Sequence, residues 1–140
     1  MIHEYTFRIY YKDTDASGIA YHANYLVYAE RARSELFNEG GLPIPDLLKR
    51  GDAFVVCHAE IDYKRPAPLN AMVKICTQIK EIRAASCITE QLFYVDEKLA
   101  ARVLIEAVSV DTNTLRPKRI PADVRALYEK YLEEGEKNAK

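Results

Sequence analysis

The 140-residue sequence predicts a two-layer α+β domain in which one long helix packs on an antiparallel sheet. Two patterns lead to this prediction. Early in the chain, apolar residues recur every three to four positions, which indicates an amphipathic helix. Farther along, successive segments alternate between apolar and polar residues, which is the period of half-buried strands. A helix combined with an antiparallel sheet must bury its apolar side on one sheet face, so both layers share one core.

The first elements are a strand and the long helix. Residues 5–11 alternate between apolar and polar side chains and predict a half-buried strand. A polar turn over residues 12–18 follows. The amphipathic helix is predicted over Ala23–Glu39 and is expected to end at the glycine pair Gly40 and Gly41.

Four long strands, joined by short turns, are predicted to form an antiparallel meander in the middle of the chain. The last of them is apolar on both faces, which predicts an interior strand or one whose second face meets another subunit. A short helix over residues 44–50 precedes the meander. A final helix begins at Pro121, in which Glu133 and Lys137 are expected to form a solvated pair. The strand segments are residues 55–63, 73–80, 87–95 and 101–110.

Charge and composition exclude several classes of function. Twenty basic and 21 acidic residues give a net charge of −1, which argues against nucleic acid or an anionic membrane surface as the main partner. The longest segment without a charged side chain, residues 16–29, is shorter than the ~20 apolar residues that cross a bilayer. Residues 1–5 lack the pattern of a signal peptide. We therefore expect a cytoplasmic protein without a membrane span.

Metal and phosphate motifs are absent from the sequence. Cys57, Cys76 and Cys87 are far apart and are expected to be small buried side chains in a reducing compartment. No pair of cysteines or histidines has the spacing of a zinc site, and no glycine-rich phosphate loop is present. The sequence therefore predicts neither a metal site nor a cofactor.

The densest polar cluster, residues 13–18, lies just before Tyr21 and His22 at the start of the long helix. Taken alone, it has two interpretations. Asp, Ser and Gly are the residues that an ordinary strand-to-helix turn needs. Alternatively, the unpaired N–H groups of a helix N-terminus can hold an oxyanion, while a nearby carboxylate and imidazole act on a thioester. A thiolate leaves without a strong acid, so this small set suffices for acyl transfer.

A longer motif distinguishes between these two interpretations of the polar cluster. Residues 10–25 read Tyr-Tyr-Lys-Asp-Thr-Asp-Ala-Ser-Gly-Ile-Ala-Tyr-His-Ala-Asn-Tyr, and residues 28–33 and 63–67 add further matches. This pattern resembles the hotdog-fold thioesterases of the 4-hydroxybenzoyl-CoA thioesterase family, closest to the Tol-Pal-associated acyl-CoA thioesterase branch. The resemblance covers about residues 5–121.

The resemblance implies the hotdog fold, a curved antiparallel sheet of about five strands wrapped around one long helix, with an additional C-terminal helix. Residues 1–140 are then expected to form a single hotdog thioesterase domain. The family pattern further implies a homodimer or homotetramer with active sites at the dimer interface.

The resemblance also implies roles for individual residues. Asp15 matches the catalytic carboxylate, which acts as nucleophile or as general base. His22 matches a polar position beside the site, and its backbone N–H would polarise the thioester carbonyl. Tyr21 and Tyr25 flank these positions and are expected to line the substrate pocket or to pack beside it, and Asp13 is expected to set the turn geometry.

Coenzyme A requires basic residues for its phosphates. Arg83 matches a nucleotide-contacting segment of the family and is the predicted contact. Other candidates, each of which is equally explained as a solvated charge, are Lys64, Arg65, Arg116, Lys118 and Arg119.

Two positions refine the expected substrate. Ser17 stands where many relatives have glycine, and His22 with Ala23 follows the short-chain acyl branch rather than the hydroxybenzoyl type. The expected reaction is hydrolysis of short-chain aliphatic acyl-CoA to free acid and CoA. Glu30, a second carboxylate on the helix, is expected to form surface or intersubunit ion pairs.

Three alternatives to this activity remain. One is a thioesterase that acts on acyl-carrier protein, and another is a module that binds acyl thioesters without turning them over. The third is a hotdog dehydratase, but that pattern places Asn-Pro between Asp and His at closer spacing. Here Ala-Ser-Gly-Ile-Ala-Tyr separates Asp15 from His22, which counts against it.

Overall fold

The computed structural model describes residues 1–133, which form one five-stranded antiparallel sheet and three α-helices. The sheet order is β1-β3-β4-β5-β2, and α1 packs on one sheet face. This confirms the predicted α+β class and hotdog arrangement. The strands are β1 (His3–Arg8), β2 (Asp52–Tyr63), β3 (Met72–Ile82), β4 (Ser86–Val95) and β5 (Lys98–Asp111); the helices are α1 (Asn24–Glu39), α2 (Ile44–Lys49) and α3 (Ala122–Lys130).

The strand pairing corrects the predicted meander. β3, β4 and β5 are hairpin neighbours as expected, but β2 pairs with the outer edge of β5 and not with β3. Between β2 and β3 the chain crosses the sheet through residues 64–71, which contain Pro66 and Pro68. Alternation identifies strands but not their partners, and this connection is too long for a tight hairpin. β2 is therefore an edge strand, and β5 is interior as predicted.

The central core lies between α1 and the sheet. Ala29 and Ala32 are fully buried and let the helix backbone approach Ile75 and Phe93 closely. The Gln91 amide nitrogen donates to the Ala29 carbonyl oxygen at 2.8 Å, which ties β4 to the middle of the helix. Larger side chains at either alanine would overpack this contact at a cost of about 1–3 kcal/mol.

A second apolar cluster surrounds the C-terminal end of α1. Leu36 and Phe37 contact Leu127 and Tyr128 of α3 in this cluster. α3 ends at Lys130, so Glu133 lies beyond that helix and not inside it as expected. Glu133 instead accepts a hydrogen bond from Lys80 Nζ at 2.7 Å, and Lys137 lies outside the described residues.

Two smaller expectations are corrected. β1 ends at Arg8, and Tyr11 begins a single 3₁₀ turn that exposes it, because the chain turns away from β3 toward α1. Cys87 is buried, but Cys57 is exposed at a β-bulge, where the register between β2 and β5 shifts between Val56 and His58. Within residues 1–133, no helix has the length and apolar character that crossing a membrane requires.

Candidate active site

The loop between β1 and α1 is a small hairpin that presents Asp15. The Asp15 N–H donates to the Ile19 carbonyl oxygen at 3.0 Å, and the Gly18 N–H donates to the Asp15 carbonyl oxygen at 3.1 Å. Gly18 has φ +80°, a left-handed conformation in which a side chain is strained. The Asp15 carboxylate is consequently exposed at the tip of a closed turn.

Asp13 connects this hairpin to the start of the helix. Its buried carboxylate accepts the Tyr10 N–H at 2.8 Å. Its carbonyl oxygen accepts the Tyr21 N–H at 2.9 Å and the Asn24 side-chain amide at 3.0 Å. Asp13 therefore has the turn-setting role that the sequence predicts for it.

The N-terminal end of α1 has unpaired donors. Ala23 is the N-cap residue, has helical dihedral angles and makes no side-chain capping bond. Among the described residues, the backbone N–H groups of His22 and Ala23 have no hydrogen-bond acceptor. Together with the partial positive charge of the helix end, they form a place for a developing oxyanion.

Aromatic rings surround His22. Its ring centroid lies 4.5 Å from that of Tyr21 and 6.4 Å from that of Tyr63. The Tyr63 hydroxyl donates to the His22 carbonyl oxygen at 2.9 Å, which joins the end of β2 to the start of α1. A cavity of about 430 Å³ opens here, lined by Ile19, Ala20, His22, Tyr25, Tyr63, Lys64, Arg65 and Pro66.

Asp15 is held in its ionised form. The hydroxyl and the N–H of Ser17 both donate to Asp15 Oδ1, the latter at 2.9 Å. These bonds, the hydroxyl foremost, lower the pKa of Asp15, and the nearby His22 adds a smaller electrostatic contribution in the same direction. The carboxylate is therefore charged at neutral pH and lies within electrostatic reach of His22.

Tyr25 forms the inner wall of the His22 cavity. Its ring is almost fully buried and meets Tyr63 edge-on at 5.2 Å and Phe93 at 5.3 Å. Burial, followed by the proximity of Tyr63, raises the pKa of Tyr25 above its usual value. The phenol remains protonated and provides an aromatic surface.

A second cavity, of about 410 Å³, follows α1 away from His22. Its helix side is formed by Leu26, Glu30, Arg33 and Phe37, which share one helix face with His22 because they recur at three- and four-residue spacing. The two cavities share no lining residue; the first lies at the start of α1 and the end of β2, and the second between later residues of α1 and earlier residues of β2. The Glu30 side chain lines the second cavity beyond the first turn of α1 and interacts electrostatically with Arg33.

The structure brings four of the five predicted site residues together. Asp15, Tyr21, His22 and Tyr25 all lie at the N-terminal end of α1. Arg83 does not join them, because it follows β3 and binds Glu81 at 2.6 Å and Glu106 at 3.0 Å.

Strand register shows how far Arg83 lies from the site. In the β2–β5 pairing, Glu106 lies opposite His58, whereas Tyr63 lies opposite Ala101. These two residue pairs are five residues apart along the strands, which is about 17 Å. Within one chain, Arg83 is therefore at a different level of the sheet from His22.

The residue that the sequence left out of the site is at the end of β2. Tyr63 was predicted only as the last apolar residue of its strand, yet it binds His22 and lines the cavity. Lys64 and Arg65, which the sequence offered only as alternative contacts for CoA, follow it and line the same cavity. The match of residues 63–67 to the thioesterase pattern is the feature that identifies this segment. In the described part of the chain, no three His, Cys, Asp or Glu side chains are grouped to hold a metal ion.

Comparison with known proteins agrees with this geometry. The family model for the thioesterase-like superfamily matches residues 10–127. The chain belongs to that superfamily. This confirms the resemblance carried by the motif, and the protein is a thioester hydrolase.

Individual relatives of this thioesterase are similar along most of their length. The acyl-CoA thioester hydrolase YbgC of Escherichia coli O6:H1 is 33% identical over 120 residues, which are 85% of this chain and 90% of that protein. A probable thioesterase from Bartonella henselae has a TM-score of 0.81 and 32% identity, covering 86% of this chain and all of that one. DHNA-CoA thioesterase from Staphylococcus aureus has a TM-score of 0.88 at 22% identity, covering 99% of this chain and 94% of that one, and supports the fold.

Proposed function

We propose that this thioesterase hydrolyses short-chain aliphatic acyl-CoA to the free acid and CoA, with Asp15 as nucleophile or general base and the start of α1 as the oxyanion site. The observation that carries the proposal is the juxtaposition of an ionised carboxylate with two unpaired N–H groups. The acyl-CoA class is supported by the names of the YbgC relatives. The mostly apolar lining of the second cavity, between α1 and β2, supports an aliphatic acyl group.

Asp15 can act by either of two routes, and in each route every broken bond and transferred proton is accounted for. As nucleophile, Asp15 attacks the thioester carbon, the C–S bond breaks, the thiolate leaves and water then hydrolyses the mixed anhydride. As base, Asp15 takes a proton from water, the resulting hydroxide attacks, and the proton passes to the departing thiolate. In either route the carbonyl oxygen becomes an oxyanion, which the N–H groups of His22 and Ala23 stabilise.

The direction of the Asp15 pKa favours the nucleophilic route. A general base works best when its pKa is close to the operating pH, whereas hydrogen bonding by Ser17 lowers the pKa of Asp15. An ionised carboxylate is ready to attack over the whole neutral range. The thiolate leaving group has a pKa of about 8.5 and needs no strong acid.

We further propose that the active unit is a homodimer of single hotdog domains, residues 1–140, joined along β2. This edge strand is 12 residues long, and Val55 and Val56 remain 50% and 45% exposed on it. A long exposed apolar edge is a template for pairing with a second copy. Because Tyr63 ends β2 inside the His22 cavity, pairing there places the second subunit beside the site. Light scattering should give twice the chain mass, and Val56→Lys should lower both mass and activity, unlike the exposed control Leu115→Lys.

Lys64 and Arg65 are proposed to bind the CoA phosphates from within the chain. Both are exposed and line the His22 cavity. Arg83, the contact predicted from the sequence, can serve this site only from the second subunit. The double substitution Lys64→Ala with Arg65→Ala should raise KM for acyl-CoA while kcat changes little. An equal increase in KM for Arg83→Ala would support the intersubunit contact, and no increase would remove Arg83 from the site.

The test of the proposed function is thiol release from a panel of acyl-CoAs. The panel contains short aliphatic, long aliphatic and hydroxybenzoyl thioesters, together with a short acyl group on acyl-carrier protein. Asp15→Asn keeps an oxygen that accepts the Ser17 bonds and should lose activity by about 10²–10⁴-fold. Asp96→Asn is the matched control, because Asp96 lies in the β4–β5 turn with φ 51°, which asparagine also adopts.

Each outcome of the panel decides between alternatives. Release from short aliphatic acyl-CoA that Asp15→Asn abolishes supports the proposal. Activity only on the carrier-protein thioester reassigns the substrate. Binding without release from any thioester indicates a binding module. Unchanged release by Asp15→Asn removes Asp15 from the mechanism.

A further inference from the structure

The two oxygens of the Asp15 carboxylate have different surroundings. Oδ1 accepts both the N–H and the hydroxyl of Ser17. Oδ2 accepts no hydrogen bond from another residue in the described chain. One oxygen is therefore held by the loop, while the other accepts no hydrogen bond from another described residue.

We propose that Ser17 is a positioning residue of the active site, which fixes Asp15 by Oδ1 so that Oδ2 is the oxygen presented to the substrate. The inference rests on the proposed catalytic role of Asp15. A carboxylate on an exposed loop rotates about its side-chain bonds, and two donors on one oxygen restrict that rotation. Correct orientation of a reacting group contributes strongly to rate, because small misplacements are costly.

The serine hydroxyl is not needed to close the loop. The turn is already closed by the backbone bonds between Asp15 and Gly18 and between Asp15 and Ile19. A backbone bridge between Thr14 and Ala20 extends the same hairpin. Glycine at this position would retain the N–H bond to Oδ1 and lose only the hydroxyl. The contribution of the serine side chain is therefore the second bond, made by the hydroxyl.

That second bond also affects ionisation. The Ser17 hydroxyl is the largest contribution that lowers the pKa of Asp15. A hydrogen bond to the charged form favours that form, so Asp15 stays ionised to lower pH when the hydroxyl is present. If the hydroxyl is removed, the acid limb of the pH–rate profile moves to higher pH.

The test compares pH profiles of kcat/KM for wild type, Ser17→Ala, Ser17→Thr and Thr14→Val with a short-chain acyl-CoA. Ser17→Ala should move the acid limb to higher pH, and Ser17→Thr should restore it because threonine retains the hydroxyl. On the plateau, kcat of Ser17→Ala should fall by about tenfold or less, since the backbone N–H still holds Oδ1.

Thr14→Val is the matched control for the loss of a loop hydroxyl. The Thr14 hydroxyl donates to the Tyr11 carbonyl oxygen at 2.7 Å and does not touch the Asp15 carboxylate. Its substitution should leave the acid limb in place. An equal displacement in Thr14→Val would indicate a general loss of loop structure and would overturn the specific role of Ser17.

The ionisation of Asp15 can also be measured directly, without following enzyme turnover. The ¹³C NMR titration of the Asp15 carboxyl should have a higher midpoint in Ser17→Gly than in wild type. Equal midpoints and equal acid limbs would overturn the inference while Asp15→Asn remains inactive, so that the proposed function survives. Full activity of Asp15→Asn, in contrast, would remove the proposed role of Asp15 on which the inference rests, whatever the behaviour of Ser17.

Discussion

The two ends of α1 differ in how their backbone groups are satisfied. At the N-terminal end, the N–H groups of His22 and Ala23 have no acceptor among the described residues. At the C-terminal end, the N–H groups of Gly40 and Leu42 donate to the Leu36 and Phe37 carbonyl oxygens at 3.0 and 2.9 Å.

Packing differs between the same two ends. Exposed polar loops and an open cavity surround the N-terminal end, whereas α3 covers the C-terminal end with buried apolar side chains. The C-terminal end of α1 is anchored by α3, whereas the N-terminal end has the free donors that the proposed oxyanion site requires.

Among the tests of this contrast between the two helix ends, the largest expected effect comes from removing one N–H at the N-terminal end of α1. The Asn24 N–H donates to the Tyr21 carbonyl oxygen at 3.0 Å and closes a four-residue turn over residues 21–24. His22 is the second residue of this turn, and the residue after it has helical dihedral angles. The second position of such a turn accepts proline. His22→Pro should lower kcat by about 10²–10³-fold relative to His22→Ala, because only the proline variant also loses the N–H. Steady-state kinetics of the pair measures this difference.

Thermal unfolding is the control for that pair. The two variants should unfold at similar temperatures, because the His22 N–H has no partner to lose. Equal kcat values for His22→Ala and His22→Pro would contradict an oxyanion role for this N–H.

The next largest effect concerns the stability of the fold at the C-terminal end of α1. A Cβ added at Gly40 would lie 2.5 Å from Leu127 Cδ1, which is itself buried. Gly40→Ala should therefore destabilise the fold by about 1–3 kcal/mol through overpacking, while kcat/KM of the remaining folded protein stays unchanged. Denaturant unfolding measures the loss, with exposed Asn38→Ala as the control.

A double substitution tests the cause. Leu127→Ala removes the clashing atoms, so combining it with Gly40→Ala should cost less than the sum of the two single changes. Strict additivity would show that Gly40 and Leu127 do not interact.

The smallest expected effect is the pH dependence of stability near the start of α3. Arg50 binds Asp123 with two hydrogen bonds of 2.7 Å, and these lower the pKa of Asp123. A carboxylate whose pKa is lower in the folded state stabilises the fold above its unfolded pKa of about 4, and that contribution is lost as pH falls through the folded pKa. The difference in Tm between wild type and Arg50→Ala should have its largest value at neutral pH and should decrease below about pH 4.

The control for this effect is Arg119→Ala, which removes an exposed cation that has no ion pair in the described part of the chain. Its Tm should follow that of wild type at every pH. A difference for Arg50→Ala that stays constant down to pH 2 would contradict the ionic origin of the contribution.

The sequence predicted the elements of this fold better than their partners. Alternation located the strands, and three- to four-residue spacing located α1 almost to its ends. The edge position of β2 was missed because apolar alternation is the same in edge and interior strands. The end of α3 was missed because Glu133 forms a long-range bond to Lys80, which no local pattern encodes.

The site was predictable where it is local in sequence. Asp15, Tyr21, His22 and Tyr25 lie within one loop and one helix turn, so a single motif contains them all. Tyr63 and its basic neighbours reach the same place only because β2 ends beside α1, which depends on the strand order. Arg83 was chosen from the family pattern without that order, and within one chain it lies at another level of the sheet.

The most direct test of the account is thiol release from butyryl-CoA by wild type and Asp15→Asn at equal concentrations of folded protein. The account predicts that the substitution reduces release by about 10²–10⁴-fold while Tm stays unchanged, because the asparagine retains the Ser17 bonds but not the charge. Release at the wild-type rate by the substituted protein would contradict it.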